Sequence, residues 1–279
     1  MTDRCSAGPA IDRAAAAALM APLTELVARA GAAILAVNRG TMAVDGKADG
    51  SPVTEADLAA DRVIADGLAR LAPHIPALSE ERADAGTPAY TGGFFLVDPL
   101  DGTKEFVGGR DEFTVNIALL RDGEPLLGIV GAPALGLIWR GLVGVGAERV
   151  AVAADLSIQG VTAIHTRAAP APGAPWIAAV SRSHGDSRTE AFIAARPGAV
   201  RSQLGSAIKF CRIAEGGADI YPRLAPTCEW DVAAGHAVVA AAGGLVTDSH
   251  GAAIRFGGAC KGYIVPEFIA WGDPAAARR

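Results

Sequence analysis

The sequence predicts a layered α/β protein, an α+β half followed by an α/β half, and three observations lead to it. Two runs with apolar residues at helical spacing open the chain. The middle then turns to short apolar, strand-like runs joined by glycine-containing turns. Beyond APAPGAP (169–175), short strands and helices alternate. That alanine–proline segment reads as a linker. It sets an expected division into an N-terminal α+β domain, 1–165, and a C-terminal α/β domain, 166–279.

In chain order, residues 19–37 carry helical apolar spacing and stop before Asn38 and Gly40. Residues 45–52 are polar and rich in turn formers, so they read as a surface loop. Thr54 opens a second helix to about Leu71, with Pro73 beyond its end. Phe94 to Val97 suits a short buried strand that halts at Asp98-Pro99. A strand over 113–121, the hairpin signal Asp122-Gly123 and a strand over 126–130 follow. After the linker come a strand (177–180), two helices (189–195 and 206–215), a strand (218–221), a helix (229–242) and a strand (245–246).

Composition narrows the function classes. The chain has 279 residues, 51% hydrophobic, with 25 Lys+Arg against 30 Asp+Glu, a net charge of −5 and a mean hydropathy of +0.29. A basic nucleic-acid binder is disfavoured, and so is disorder. About a fifth of the residues are alanine, far above ordinary usage, which builds close-packed helices. The apolar stretch 232–246 is broken by His236 and falls short of the roughly 20 residues a bilayer needs, so no transmembrane segment is expected. Cys5, Cys211, Cys228 and Cys260 show no CxxC pairing, which fits reduced thiols and a cytoplasmic location. Cys211 and Cys228 read as small buried hydrophobes. His236, in an apolar helix, reads as a hydrogen-bonded core histidine.

The informative residues are acids. Asp98 and Asp101 flank Pro99-Leu100 directly after an apolar strand, before Gly102-Thr103. Proline fixes φ and glycine permits a tight turn, so both carboxylates can converge, and hard oxygen ligands on a stiff turn suit Mg²⁺. A solvated Asp-Pro turn is the alternative. Glu80 and Glu81 are either a wet surface pair or a place where Glu80 turns inward as a metal ligand. Asp57 stands where an acid completes a capping box with Thr54. Asp231 stands where the macrodipole of a helix start favours negative charge.

Taken in order, SPVTEAD (51–57), SEE (79–81), VDPLDGTKEF (97–106) and WDVAAGHAVVAAAGG (230–244) resemble the inositol monophosphatase superfamily of Mg²⁺-dependent phosphatases. Finer features resemble its CysQ-type 3′(2′),5′-bisphosphate nucleotidases. These are Lys104-Glu105-Phe106, EFTVNIALL (112–120), SRSH (181–184), GSAIKF (205–210) and AEGGADIYPRLAPTCEWD (214–231). The resemblance implies a layered α/β/α/β/α sandwich. It also implies hydrolysis of the 3′-phosphate of adenosine 3′,5′-bisphosphate to AMP and phosphate, by in-line attack of a metal-activated water. An inositol-1-phosphatase or fructose-1,6-bisphosphatase of the same superfamily is the nearer alternative. A catalytically silent nucleotide sensor is the alternative of another class.

Roles follow from the resemblance. Glu80, Asp98, Asp101, Asp231 and the backbone carbonyl of Leu100 correspond to ligands of two or three Mg²⁺ ions, with Asp57 completing a further position. Gly102 and Thr103 offer backbone N–H groups to the scissile phosphate. The Thr103 hydroxyl, with Glu80 or Asp57, orients the water. Ser181, His184, Gly205, Ser206, Lys209 and Arg223 correspond to the side that holds a small nucleotide bisphosphate, bordered by Leu100, Asp101 and Asp231. Ser206 is expected to begin a helix whose N–H groups suit an anion. The location implied is the cytoplasm, with peripheral association at the inner membrane left open.

Overall fold

Helix α1 (Arg13–Ala36) begins well before residue 19, where the apolar spacing starts. Alanines 14 to 18 carry high helix propensity but no periodicity, so the pattern could not register them. Asp12 fixes the start by accepting the Ala15 N–H at 2.7 Å. Among the described residues, this helix rather than 232–246 is the one long and apolar enough to cross a membrane. Here Leu23, Leu26, Val27, Ala30 and Ile34 on its inner face are buried in the protein's own core. The structure is a computed structural model, and it describes residues 5–39, 44–46, 52–84, 86–182, 185–258 and 262–278.

Helix α2 (Glu55–Leu71) starts at Thr54 as its composition predicts, with Thr54 and Asp57 forming the capping box. Residues Val44–Gly46 and Pro52–Thr54 pair as a small antiparallel ribbon inside what the sequence suggests is a loop. Residues 47–51 of that expected loop lie outside the described residues.

Seven strands follow: β1 (Ala77–Ser79), β2 (Gly93–Asp101), β3 (Thr114–Arg121), β4 (Glu124–Ala132), β5 (Leu137–Leu142), β6 (Gly146–Val152) and β7 (Ile158–Ile164). They form one sheet in the order β7-β6-β5-β4-β3-β2-β1, antiparallel except for the β1–β2 pair. Strand β2 does not halt at Asp98-Pro99. It runs on to Asp101 through a register shift, with Asp98 opposite Asn116 and Asp101 opposite Thr114. Pro99 lacks an N–H, and a bulge is where a sheet tolerates that loss. The β3–β4 turn has positive φ at both Asp122 (53°) and Gly123 (77°), the backbone a two-residue hairpin needs.

A one-turn helix, α3 (Thr103–Val107), leaves the end of β2. The second sheet comprises β8 (Ile177–Ser181), β9 (Val200–Leu204), β10 (Ile220–Arg223), β11 (Leu245–Thr247) and β12 (Phe268–Trp271), in the order β9-β8-β10-β12-β11. Between them run α4 (Ser187–Ala194), α5 (Ile208–Ala214) and α6 (Glu229–Ala241). Strand β9 escaped the apolar pattern because VRSQL is a largely exposed edge strand.

Three cores separate five layers. The first lies between α1, α2 and one face of the seven-stranded sheet. The second lies between that sheet's other face, α5, α6 and the second sheet. The third lies between the second sheet and α4. This is the α/β/α/β/α sandwich that the sequence resemblance implies. Adjacent Phe94 and Phe95 of β2 are both fully buried, in different cores. Each contributes roughly 2–3 kcal/mol by burial. A strand covered on both faces reads as an unbroken apolar run, so the sequence pattern identifies the strand but not its faces. Helix α6, rich in alanine, seats directly on β4. A Cβ on Gly128 would stand 2.2 Å from the Ala234 carbonyl oxygen, so only glycine permits this approach.

Candidate active site

Four acids meet where the two sheets face one another. Asp98 and Asp101 come from the bulged end of β2, Glu80 from the short 3₁₀ turn after β1, and Asp231 from the first turn of α6. Carboxylate oxygens of Glu80, Asp98 and Asp231 all lie within 4.8 Å of one another. With Leu100, Asp101, Gly102, Thr103, Ser181, Ser206, Lys209 and Arg223 they line a cleft of about 210 Å³. Asp57 and Gly205 are not part of this lining, and His184 lies outside the described residues.

Asp57 serves two ends at once. Its Oδ2 accepts the Thr54 N–H at 2.8 Å and the Thr54 hydroxyl at 2.6 Å, which caps α2. Its Oδ1 accepts the Thr103 hydroxyl at 3.0 Å. Both readings of this residue, cap and site acid, therefore have structural content. The Thr103 hydroxyl is also 3.3 Å from the Leu100 carbonyl. The other acids are held in a similar way. Asp101 faces the Thr114 hydroxyl at 3.4 Å, and Asp231 accepts from the Thr227 hydroxyl and the Cys228 N–H. Asp98 accepts the Leu100 N–H at 3.1 Å.

Crowding shows in the protonation equilibria. Burial, then the neighbouring charges of Glu80, Asp101, Asp231 and Asp57, pushes the Asp98 pKa well above the usual carboxylate range. Burial, then Asp231, raises Asp101 to about 6. Like charges this close and this dry resist ionising together. A cation among them reverses that balance, and an all-oxygen donor set suits a hard divalent ion such as Mg²⁺. The residues present therefore fit a metal.

The opposite wall is cationic. Lys209 is 3% exposed, and its Nζ donates to the carbonyls of Ser206 at 2.6 Å and Leu204 at 3.4 Å. Burial lowers its pKa to about 8. Arg223 lines the cleft from β10, and its Nε is buried with no partner among the described residues. The helix expected from Ser206 begins later, at Ile208. Ser206 precedes it with φ of 49°, a left-handed conformation outside the right-handed helical region. Its hydroxyl lies 2.8 Å from the Asp101 carbonyl and 2.9 Å from the Glu112 carbonyl, so it ties the two halves together. Gly205 likewise permits close backbone approach, in its case to Glu112. Gly102 has φ of 93°, and a Cβ there would meet the Ser206 Oγ at 2.2 Å.

Sequence reasoning missed several residues of this region. Phe210, Tyr221 and Glu105 line the cleft, and Thr114 and Thr227 hold its acids. The only signal available for the two threonines was a polar residue interrupting or flanking an apolar run. His236 lies away from the cleft beside Phe256, as a core residue should. However, its Nδ1 is buried without a partner among the described residues, rather than hydrogen-bonded.

The model of the inositol monophosphatase family matches residues 16–277. The chain is 44% identical over 230 residues to a 3′(2′),5′-bisphosphate nucleotidase CysQ of Shigella flexneri, covering 81% of this chain and 89% of that one. It is 42% identical over 231 residues to the protein of that name in Escherichia coli K12, with the same coverage. Among solved structures, CysQ from Bacteroides thetaiotaomicron aligns with a TM-score of 0.72 at 32% identity, over 91% of this chain and 97% of that one.

Proposed function

The chain belongs to the inositol monophosphatase family, and we propose that it is a Mg²⁺-dependent 3′(2′),5′-bisphosphate nucleotidase. Its reaction converts adenosine 3′,5′-bisphosphate to AMP and phosphate, which clears a by-product of sulfate assimilation and sulfonation in the cytoplasm. The observation that carries this reading is the three-carboxylate cluster facing a wall with two cationic side chains. The first suits a metal that neutralises a phosphate ester, and the second suits a further phosphate on the same substrate. Identity above 40% to CysQ nucleotidases supports the nucleotide over an inositol or sugar ester.

Glu80, Asp98, Asp101 and Asp231, with the Leu100 carbonyl, hold the metal in this reading, and Asp57 bounds a further position. Bound Mg²⁺ supplies charge neutralisation, a lowered water pKa and stabilisation of the departing ribose oxygen. The chain's own part is positional. Asp57 accepts the Thr103 proton, which leaves the Thr103 oxygen lone pairs free to accept one from the attacking water. A proton leaving that water has a relay through Thr103 Oγ1 to Asp57 Oδ1. The backbone N–H groups of Gly102 and Thr103 receive the scissile phosphate, which requires the positive φ at Gly102. Lys209 and Arg223 hold the other phosphate, beside Ser181 and the backbone at Gly205 and Ser206. In this scheme residues 1–165 contribute most of the metal site, and 166–279 contribute substrate recognition and Asp231.

The test is phosphate release with Mg²⁺ from adenosine 3′,5′-bisphosphate, inositol 1-phosphate and fructose 1,6-bisphosphate in parallel. The nucleotide should turn over with the highest kcat/KM. Preference for the inositol or sugar ester would remove the nucleotide assignment, and binding without release would make the protein a sensor.

A further inference from the structure

We propose that Asn116 is a positioning residue of the metal centre, whose amide engages Asp98 and the cation's hydration shell when the acidic cluster is filled. The proposal rests on the reading of Glu80, Asp98 and Asp231 as metal-holding.

Asn116 lies in the middle of β3, directly opposite Asp98 in the β2–β3 pair. It is 1% exposed, yet neither its Nδ2 nor its Oδ1 has a hydrogen-bond partner among the described residues. A buried polar side chain with both ends unused is rare, because each lost hydrogen bond to water goes unreplaced. The neighbours on its face of β3, Ala118 and Leu120, are apolar and belong to the core between the two sheets. A leucine at 116 would suit that core better than an amide does, so packing does not account for the asparagine.

The neighbouring acids supply the reason. Asp57 has the hydroxyls of Thr54 and Thr103, Asp101 faces Thr114, and Asp231 has Thr227. Asp98 accepts a backbone N–H from Leu100, but the side chain opposite it on β3 remains unengaged. Asp98 and Asn116 thus repeat the Asp101–Thr114 arrangement across the register shift, three residues back on β2 and two on along β3, with the second hydrogen bond not made. Carboxylates that ligate a metal are themselves hydrogen-bonded as a rule, and Mg²⁺ keeps several waters that need acceptors. A neutral amide meets both needs, donating through Nδ2 to the Asp98 carboxylate and accepting a water hydrogen through Oδ1. An aspartate here would add a further charge to a crowded cluster, and a leucine could do neither.

The test compares wild type with Asn116→Leu and Asn116→Ala. Metal binding is read by titrating Mn²⁺ and following the EPR signal of the free ion, and folding by the thermal midpoint without metal. The proposal expects the metal-free midpoint of Asn116→Leu to equal or exceed that of wild type. It expects Mn²⁺ affinity to fall about ten-fold or more, the range for losing a partner of a metal ligand. If Asn116→Leu fails to fold, Asn116→Ala, which cannot overfill the site, must show the same loss of affinity. Wild-type Mn²⁺ affinity in the folded variants overturns the proposal. So does a lowered metal-free midpoint with unchanged affinity, the signature of a merely structural residue. Asp98→Asn is the control for the underlying reading. If it binds Mn²⁺ as wild type does, the metal-site assignment falls and this proposal with it. Loss in Asp98→Asn alone leaves the metal site standing and removes only the role of Asn116.

Discussion

The two sides of the cleft are built by different means. The acidic floor comes mainly from the seven-stranded sheet, where Asp98 and Asp101 sit three residues apart on one strand and Thr103 two residues beyond. Hydroxyls of Thr54, Thr103, Thr114 and Thr227 face or hydrogen-bond its carboxylates. The cationic wall comes from the second half of the chain, with Lys209 on α5 and Arg223 on β10. It reaches the floor through Ser206, whose hydroxyl contacts the carbonyls of Asp101 and Glu112. Within the floor Asp98, Asp101 and Thr103 form a local motif, whereas Glu80, Asp231 and the whole wall are brought in by how the layers stack. If the floor carries the chemistry and the wall the recognition, as proposed, the two sit on separate supports, and substitutions should divide between kcat and KM.

The largest effect should come from Asp98→Asn. Losing a carboxylate from the centre of the cluster should lower kcat by about 10³-fold or more, because charge neutralisation of the ester depends on the metal. The metal-free protein should melt no lower than wild type, since Asp98 is buried beside the charges of Glu80, Asp101, Asp231 and Asp57. Near-normal phosphate release in this variant would break the assignment of the floor.

Next comes Thr103→Val, which keeps the shape of the side chain and removes the hydroxyl that Asp57 accepts. A fall in kcat of roughly 10²-fold is expected for a lost proton-transfer partner. KM for the bisphosphate should change little, and steady-state kinetics will show whether it does. A change confined to KM would move Thr103 from floor to wall.

Lys209→Met tests the wall. A charge-assisted hydrogen bond contributes about 1.5–3 kcal/mol, so KM for adenosine 3′,5′-bisphosphate should rise about ten-fold or more. Inositol 1-phosphate, which has no second phosphate, should be affected much less. Equal losses on both substrates would mean that Lys209 acts through the fold, since its Nζ also holds the carbonyls of Leu204 and Ser206.

The last prediction concerns stability rather than turnover, on α6 away from the cleft. Burial lowers the His236 pKa to about 4 from an ordinary 6.5. The unfolded chain therefore takes up its proton first, and the neutral ring, half-buried with its Nδ1 shielded, is fully tolerated only above about pH 6.5. As pH falls from about 6.5 to 4, His236 should cost stability of order 1–3 kcal/mol. Urea midpoints of wild type and His236→Gln at pH 7 and 4.5 check this, with the gap between the two proteins shifting toward the variant at low pH. A gap independent of pH would show that the ring is not buried neutral.

Much of this was legible before any coordinates. Thr54 and Asp57 announce a capping box and Asp122-Gly123 announces its hairpin, whereas the acids of DPLDGT come together through a bulge in a continuing strand rather than the stiff turn the letters suggest. What escaped has identifiable causes. Alanine has helix propensity without amphipathic signature, so α1 begins earlier than its pattern. The exposed edge strand β9 carries no apolar alternation. Ser206 looks like a helix start, but its left-handed backbone postpones α5 to Ile208. Asn116 was visible only as a polar letter within EFTVNIALL. Because β3 is buried on both faces, nothing in the sequence says which core that letter enters.

By itself, then, the sequence singled out the acids of the floor, because each lies in a short segment where turn, cap and strand-end geometry are local properties. It also determined the family to which the chain belongs. Only the tertiary structure decided that Asp57, a helix cap, also receives the Thr103 hydroxyl from 46 residues away. The tertiary structure likewise set Lys209 and Arg223 across from the acids and left Asn116 unengaged opposite Asp98. Such pairings depend on strand register and on the stacking of five layers, which no local preference encodes.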